Sequence, residues 1–308
     1  MGLISRAYLS DTDLAQVVDL LRVVPPTTRH LVDFPWRFSV PLGDPAADAR
    51  VWMVGELLVG FAAWQAWWTT LDLYIRPGTT AQAVEAAIFD WAAGRFRELD
   101  AERGQPMPYW VEAREDDAEH LALLARHGYT QNNDYTYVMM RRSLAEPLPR
   151  PELPPGFTIR PFAGMSEVGT YAIVHNRAFA GTYMTPARRA SALGMPQHTP
   201  ELDLVIVGPH GQLAGFCIGW TDPARRVAQI EPFGIAPEFQ RRGLGRALLW
   251  EILARFKSCG MEHAQVETNS DRAPARSAYE FVGLLPVYQS VRKGQWFSPH
   301  DRAPDEGA

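Results

Sequence analysis

The chain has 308 residues, of which 46% are hydrophobic and 21% charged, a balance that excludes wholesale disorder and leaves room for two domains. Lys and Arg number 30 against 35 Asp and Glu, a formal net charge of −5, which excludes a protein built to coat nucleic acid. Cys217 and Cys259 are the two cysteines and the 8 histidines are scattered, so neither a disulfide framework nor a zinc-type cluster is expected and no metal is assigned. No apolar signal core follows Met1, and no apolar run approaches the roughly 20 residues that a bilayer requires. The expectation is a cytoplasmic protein with no membrane partner.

In chain order, Leu3-Ile-Ser-Arg-Ala-Tyr8 reads as a strand, followed by an acidic turn and an apolar-periodic segment. Val51–Gly55 and Leu57–Trp64 are two short apolar runs joined by a tight turn, which predicts a β-hairpin. Leu73-Tyr-Ile-Arg-Pro77 is a strand ending at proline, Thr80–Leu99 a helix, Tyr109–Ala113 a strand, and a short helix closes at His127-Gly128-Tyr129. Glu146–Gly156 reads EPLPRPELPPG. Proline fixes φ and disfavours helix at the residue before it, so this run predicts an extended linker. Beyond it the same order returns: a strand from Phe157, a hairpin from Val205–Gly208 and Gln212–Trp220, a strand Phe233–Pro237, a helix Gly243–Cys259, a strand Ala264–Thr268, and a closing Val282-Gly283-Leu284. The repeated order predicts a duplication. The expected domains are 1–145 and 157–297, joined by a linker at 146–156 and followed by a flexible polar tail at 298–308, each domain of α/β (α+β) class.

The chemistry is concentrated in Ile230–Trp250. A strand ends near Ala236, Pro237 turns the chain, and Gln240-Arg241-Arg242-Gly243-Leu244-Gly245 leads into a helix whose Leu244, Ala247, Leu248 and Ile252 recur at helical spacing. A helix start exposes unpaired N–H groups at the positive end of its dipole, and glycine lets a phosphate approach the backbone. Arg241, Arg242 and Arg246 add charge. The pattern predicts a pyrophosphate cradle; a basic first helical turn with packing glycines is the alternative. It is not a Walker A motif and lacks the third glycine of the dinucleotide fingerprint.

Gln/Arg-x-x-Gly-x-Gly at a strand-to-helix junction resembles motif A of the GNAT acetyltransferases. A second match runs from Val266-Glu-Thr-Asn269 to Ala275-Arg-Ser-Ala-Tyr279-Glu-Phe-Val-Gly283. The resemblance implies two tandem GNAT folds, each a mixed, mostly antiparallel sheet flanked by helices. It also implies acetyl-CoA as cosubstrate, held by Phe233, Gly234, Ile235, Ala236, Arg241, Arg242, Gly243, Leu244, Gly245, Arg246, Asn269, Ala275 and Tyr279. Ile235 and Ala236 would bond the pantetheine arm through their backbone, because in this family the strand before the turn splays from its neighbour. Asn269 would contact the same arm, and Tyr279 would protonate the departing thiolate. A phenol of reference pKa about 10 is protonated at neutral pH and can donate. Glu231 is the nearest carboxylate to the cradle and is expected to take the acceptor amine's proton or to bind that amine. A common family position for this base is two residues earlier, where this chain has Gln229. Gln229 and Glu231 share a strand face by alternation. Glu267 is a weaker second candidate, and His175 is read as structural.

Aligned on Pro77 and Pro237, the first half carries Ala83 and Glu85 in place of Gly243 and Gly245. Aligned on its closing glycine, it carries Leu124 for Tyr279 and Arg114 for Asn269. A carboxylate in the cradle would repel a pyrophosphate, so the first half is read as a GNAT fold without a cofactor site. Trp64, Trp67 and Trp68 would line an acceptor or interdomain surface, or pack in the core. The duplicated organisation also resembles that of the mycothiol synthases, from which Gln229 departs. The expected function is acetyl transfer to the primary amine of a small molecule or peptide by direct attack. The alternative is a non-catalytic acyl-CoA-binding regulator. The sequence carries no readable signal for the oligomeric state.

Overall fold

Short apolar strands alternate with longer periodic segments along the whole chain, and the computed structural model describes residues 2–25, 31–40, 42–133 and 136–297. The expected tail at 298–308 lies outside the described residues. In chain order the elements are β1 (Leu3–Ala7), α1 (Ser10–Val23), α2 (Phe34–Phe38), α3 (Pro45–Asp48), β2 (Ala49–Val54), β3 (Leu57–Gln65), β4 (Thr70–Ile75), α4 (Ala81–Arg103), β5 (Tyr109–Arg114), α5 (Ala118–Arg126), β6 (Gln131–Asn132) and β7 (Tyr137–Ser143). There follow β8 (Thr158–Pro161), α6 (Val168–Ala178), α7 (Pro186–Leu193), β9 (Asp203–Val207), β10 (Leu213–Asp222), β11 (Val227–Ile235), α8 (Leu244–Ser258), β12 (His263–Asn269), α9 (Ala273–Phe281) and β13 (Leu285–Gln295).

The chain divides into two units. Among the described residues, the first takes the stretches before 26, from 42 to 133, residue 136 and from 290 to 297; the second takes Leu31–Val40 and Tyr137–Gln289. The chain therefore changes unit at 136/137 and 289/290, not at the proline run. The reason lies in strand pairing. β7 pairs along its whole length with β12, from Tyr137↔Asn269 to Ser143↔His263, so it belongs to the second sheet although it precedes the linker. Ser290–Gln295 of β13 pair with β5 and belong to the first. The proline run itself forms neither helix nor strand, and its Leu148 and Leu153 pack on the second core. Lys257 donates to the carbonyls of Ala145 and Glu146 at 2.9 and 2.8 Å.

In the first unit the sheet runs β1-β2-β3-β4-β5 to the last part of β13, on which β6 pairs in turn. Val84, Ile88, Ala92, Phe96 and Leu99 form one stripe of α4 and close over Trp52, Trp64 and Tyr109. Trp64 is thus a core residue, with its ring edge-on to Phe96 at 5.1 Å, whereas Trp67 is exposed and Trp68 half-buried.

In the second unit the order is β8-β9-β10-β11-β12-β7, antiparallel except for β11 and β12. Leu244, Leu248, Ile252 and Phe256 of α8 pack in one layer with Ala228 and Ile230 of β11. Tyr171 of α6, Ala192 of α7 and Trp36 of α2 form the opposite layer with Phe216 and Trp220.

Candidate active site

β11 shapes the site by breaking its own alternation. Between the pairs Gly219↔Ile230 and Cys217↔Phe233, β10 advances two residues and β11 three. The extra residue reverses which side chains face α8. Ala228 and Ile230 lie in the α8 core before it, and Phe233 and Ile235 pack against the same core after it. Gln229 and Glu231 share the other face, with Gln229 Nε2 donating to Glu231 Oε2 at 3.0 Å. Parallel pairing of β11 with β12 stops at Gln229↔Gln265, so the last residues of β11 have an opened edge. The Ala236 N–H donates to Ala214 O at 3.0 Å. That makes 236/214 a hydrogen-bonded pair of the antiparallel ladder, and the N–H and C=O of Ile235 point to the opened edge. Ile235 can therefore offer its N–H to a ligand, while that of Ala236 is used inside the sheet.

A cleft of about 830 Å³ starts at this edge. Its walls include Phe233, Gly234 and Ile235 from β11, Ala178 and Phe179 at the end of α6, and Pro274, Ala275, Ser277 and Ala278 from α9. Arg241, Gly243, Leu244, Gly245 and Arg246 close one end, joined by Phe239, Gln240, Asp271 and Arg272. Gly243 is the N-cap of α8, left-handed at φ 82° and without a side-chain cap; Arg241 is also left-handed, at φ 59°. The Ala247 N–H bonds Gly243 O at 3.1 Å, so the N–H groups of Leu244, Gly245 and Arg246 precede the helical ladder and have no acceptor within it. The space a Cβ would take at Gly243 is open, and at Gly245 a Cβ would stand 3.3 Å from Phe233 and 3.5 Å from Ile235. Open backbone donors, a helix dipole and Arg241 and Arg246 at the start of α8, with Arg272 lining the cleft from the start of α9, fit a diphosphate. Arg246 also stacks on Phe281 at 3.7 Å. Arg242 is not on the wall: it lies over Phe239 and donates to Glu238 O at 3.0 Å.

Tyr279 lies beneath the wall, 5% exposed, with its ring 5.8 Å from that of Phe233. Burial drives its phenol well above the ordinary value, Cys217 and Glu231 add to the rise, and Arg272 opposes it; the group is a protonated donor. Asn269 is also off the wall, its Oδ1 accepting the Asp271 N–H at 3.0 Å in an Asx turn. Glu267 is half-buried on β12. His175 is buried against Phe216, Phe179 and Trp36. Burial, then Arg188 and Arg189, push it down to about 3, so it is a neutral packing residue at neutral pH.

Three residues of the acceptor side escape sequence reasoning. Gln229 Nε2 also donates to Asp33 Oδ1, a buried carboxylate from the segment before α2. Gln265 Nε2 donates to Gln229 Oε1 at 2.8 Å, and Arg188, buried over Trp36, lies close enough to feel Glu231. Alternation along β12 from Asn269 picks out Gln265; nothing in the sequence points to Asp33. In the first unit the equivalent positions are filled. Glu85 contacts His127 Nε2 at 2.8 Å, Leu124 is fully buried, and Arg114 is paired with Asp116 at 2.7 Å.

Residues 174–284 match the acetyltransferase (GNAT) family. The mycothiol acetyltransferases of Pseudarthrobacter chlorophenolicus and Actinosynnema mirum are 29% and 28% identical to this chain. The first match spans 73% of this chain and 71% of the relative, the second 69% and 70%. A tandem GNAT protein from the clavulanic acid biosynthesis pathway superposes with a TM-score of 0.64 at 16% identity, covering 97% of this chain and 100% of that one. A GCN5-related N-acetyltransferase from Sphaerobacter thermophilus gives 0.62 at 19%, covering 96% of each chain. No helix among the described residues is long and apolar enough to cross a membrane. Fold, family match and relatives converge: residues 174–284 form a GNAT acetyltransferase domain, and the chain is an N-acetyltransferase with the fold of tandem GNAT proteins.

Proposed function

We propose that the second unit binds acetyl-CoA along the cleft beside β11 and α8 and acetylates the primary amine of a small molecule. The observation that carries this reading is the uncapped, left-handed start of α8 facing the opened edge of β11. The backbone of 243–246, with Arg241 and Arg246, would hold the diphosphate, and Ile235 would offer its main chain to the pantetheine arm. The bound thioester supplies an activated acetyl carbonyl. Glu231 accepts the proton of the incoming amine, the Ile235 N–H polarises the acyl oxygen, and Tyr279 donates its phenolic proton to the departing sulfur. Direct attack needs no nucleophile from the chain, and Cys217 is fully buried. No observation favours the non-catalytic regulator.

The mycothiol acetyltransferase relatives make a thiol-bearing, sugar-linked amine the first acceptor to test. The assay is a panel of such amines with simple primary amines and peptide N-termini, read by mass spectrometry of the acetylated product, because a thiol acceptor would swamp a free-thiol readout. The reading predicts acetylation of at least one small amine, lost in Glu231→Gln and in Tyr279→Phe. Turnover unchanged in both variants, or no binding of acetyl-CoA at millimolar concentration, overturns it.

A further inference from the structure

A directed row of hydrogen bonds ends on Glu231. Arg141 of β7 donates to Gln265 Oε1 at 2.8 Å. Gln265 Nε2 donates to Gln229 Oε1 at 2.8 Å. Gln229 Nε2 in turn donates to Glu231 Oε2 at 3.0 Å and to Asp33 Oδ1. Gln229, Gln265 and Asp33 are all buried. An isolated primary amide can face either way, and a row of two amides is self-consistent in both directions. Its ends decide. Arginine offers donors alone, and an ionised carboxylate offers acceptors alone. A donor-only end at Arg141 and an acceptor-only end at Asp33 and Glu231 leave one polarity for the whole row.

We infer that Gln229, oriented by Gln265 and Arg141, is a positioning residue that clamps the carboxylates of Glu231 and Asp33 on a single amide nitrogen. Two oxygens each within about 3 Å of one nitrogen are at most about 6 Å apart. At that spacing two carboxylates disfavour each other's ionised form, and a shared donor offsets this by bonding that form. A glutamine at this position thus has a task no carboxylate there could perform: it holds Glu231 ready to accept a proton beside a second carboxylate. The inference rests on the reading of Glu231 as the base. Arg188 on α7 and Tyr279 on α9 also reach Glu231.

The test follows the Glu231 carboxyl by 13C NMR from pH 4 to 9 in the full chain, labelled selectively on glutamate and assigned with Glu231→Gln. Gln229→Met keeps the volume and removes the donor; the Glu231 midpoint rises by about one pH unit or more. Gln265→Glu replaces the donor to Gln229 with an acceptor, which turns the Gln229 amide over, and raises the midpoint as well. Arg141→Met raises it too, and Arg141→Lys, which keeps a donor-only end, brings it back. The acid limb of kcat/KM for the acetylated amine moves with the midpoint, while KM for acetyl-CoA stays put. A midpoint that moves by less than about 0.3 units in whichever of Gln229→Met and Gln265→Glu folds, or in Arg141→Met if neither does, overturns the inference. Full turnover in Glu231→Gln overturns instead the assignment of the base, and the NMR titration separates the two failures.

Discussion

Replacing Gly243 with alanine tests the cradle at its most constrained residue. At φ 82° an L-residue carries a penalty of about 1–2 kcal/mol. Restricting the unfolded chain at that position returns about 0.4–1 kcal/mol. No atom lies within 4 Å of the new Cβ, so no clash is added, and the net loss is about 1 kcal/mol. For a unit of this size that lowers the thermal midpoint by about 2–4 °C. The larger effect is on binding. A backbone relaxing toward negative φ turns the Leu244 and Gly245 N–H groups away from the diphosphate. One charge-assisted hydrogen bond is worth about 1.5–3 kcal/mol, so acetyl-CoA binds about tenfold or more weakly. Gly243→Asn is the control, since asparagine tolerates the left-handed region, and it should recover most of both losses. Scanning calorimetry reads the stability, and titration calorimetry with acetyl-CoA reads the affinity. Alanine at wild-type values in both, or asparagine as damaging as alanine, refutes the reasoning.

Tyr279→Phe should lower turnover by about 10²-fold or more while acetyl-CoA raises the thermal midpoint as in wild type; equal loss of binding would mark a packing role. His175, held near pKa 3 by burial, stays neutral while the unfolded chain takes up a proton below about pH 6.5. Stability then falls as the pH drops from about 6.5, by about 2 kcal/mol at pH 5. Comparing denaturation at pH 7 and pH 5, His175→Phe should lose less than wild type. Burial also raises the phenols of Tyr129, Tyr171 and Tyr279, so stability declines once the unfolded chain ionises above about pH 10, read as a drop in thermal midpoint between pH 9 and 11. Arg189→Met leaves Asp203, buried and bonded by Arg189, without that partner. The expected cost is about 3–5 kcal/mol in urea unfolding; a neutral outcome would show that His198, 3.0 Å from the same carboxylate, suffices.

What the sequence makes legible is what short range determines. Leu244, Ala247, Leu248 and Ile252 are all buried on α8, so the helix and its glycine-rich start can be read from spacing alone. The hairpins follow from alternation and tight turns, as β2–β3 and β9–β10 do. The bulge that turns Phe233 and Ile235 toward α8 is not legible, because it depends on how β10 and β11 register. The unit boundaries are hidden for the same reason. Prolines disfavour helix at the residue before them, whereas membership of a sheet is settled by pairing, and the residues of β7 pair with partners at least 120 positions away. Asp33 is the extreme case, meeting Gln229 across 196 residues. The cradle is local and visible; the acceptor side is assembled from segments that no spacing rule connects.

The trading of edge strands also limits how the protein can be dissected. A fragment started after the proline run would lack β7 and leave the edge of β12 bare, an invitation to aggregate. A chain stopped at Gln289 would strip β5 of its neighbour in the other sheet. Domain-swap engineering, truncation libraries and minimal expression fragments of this enzyme should therefore begin no later than Tyr137, and should supply Leu31–Val40 in trans or by circular permutation.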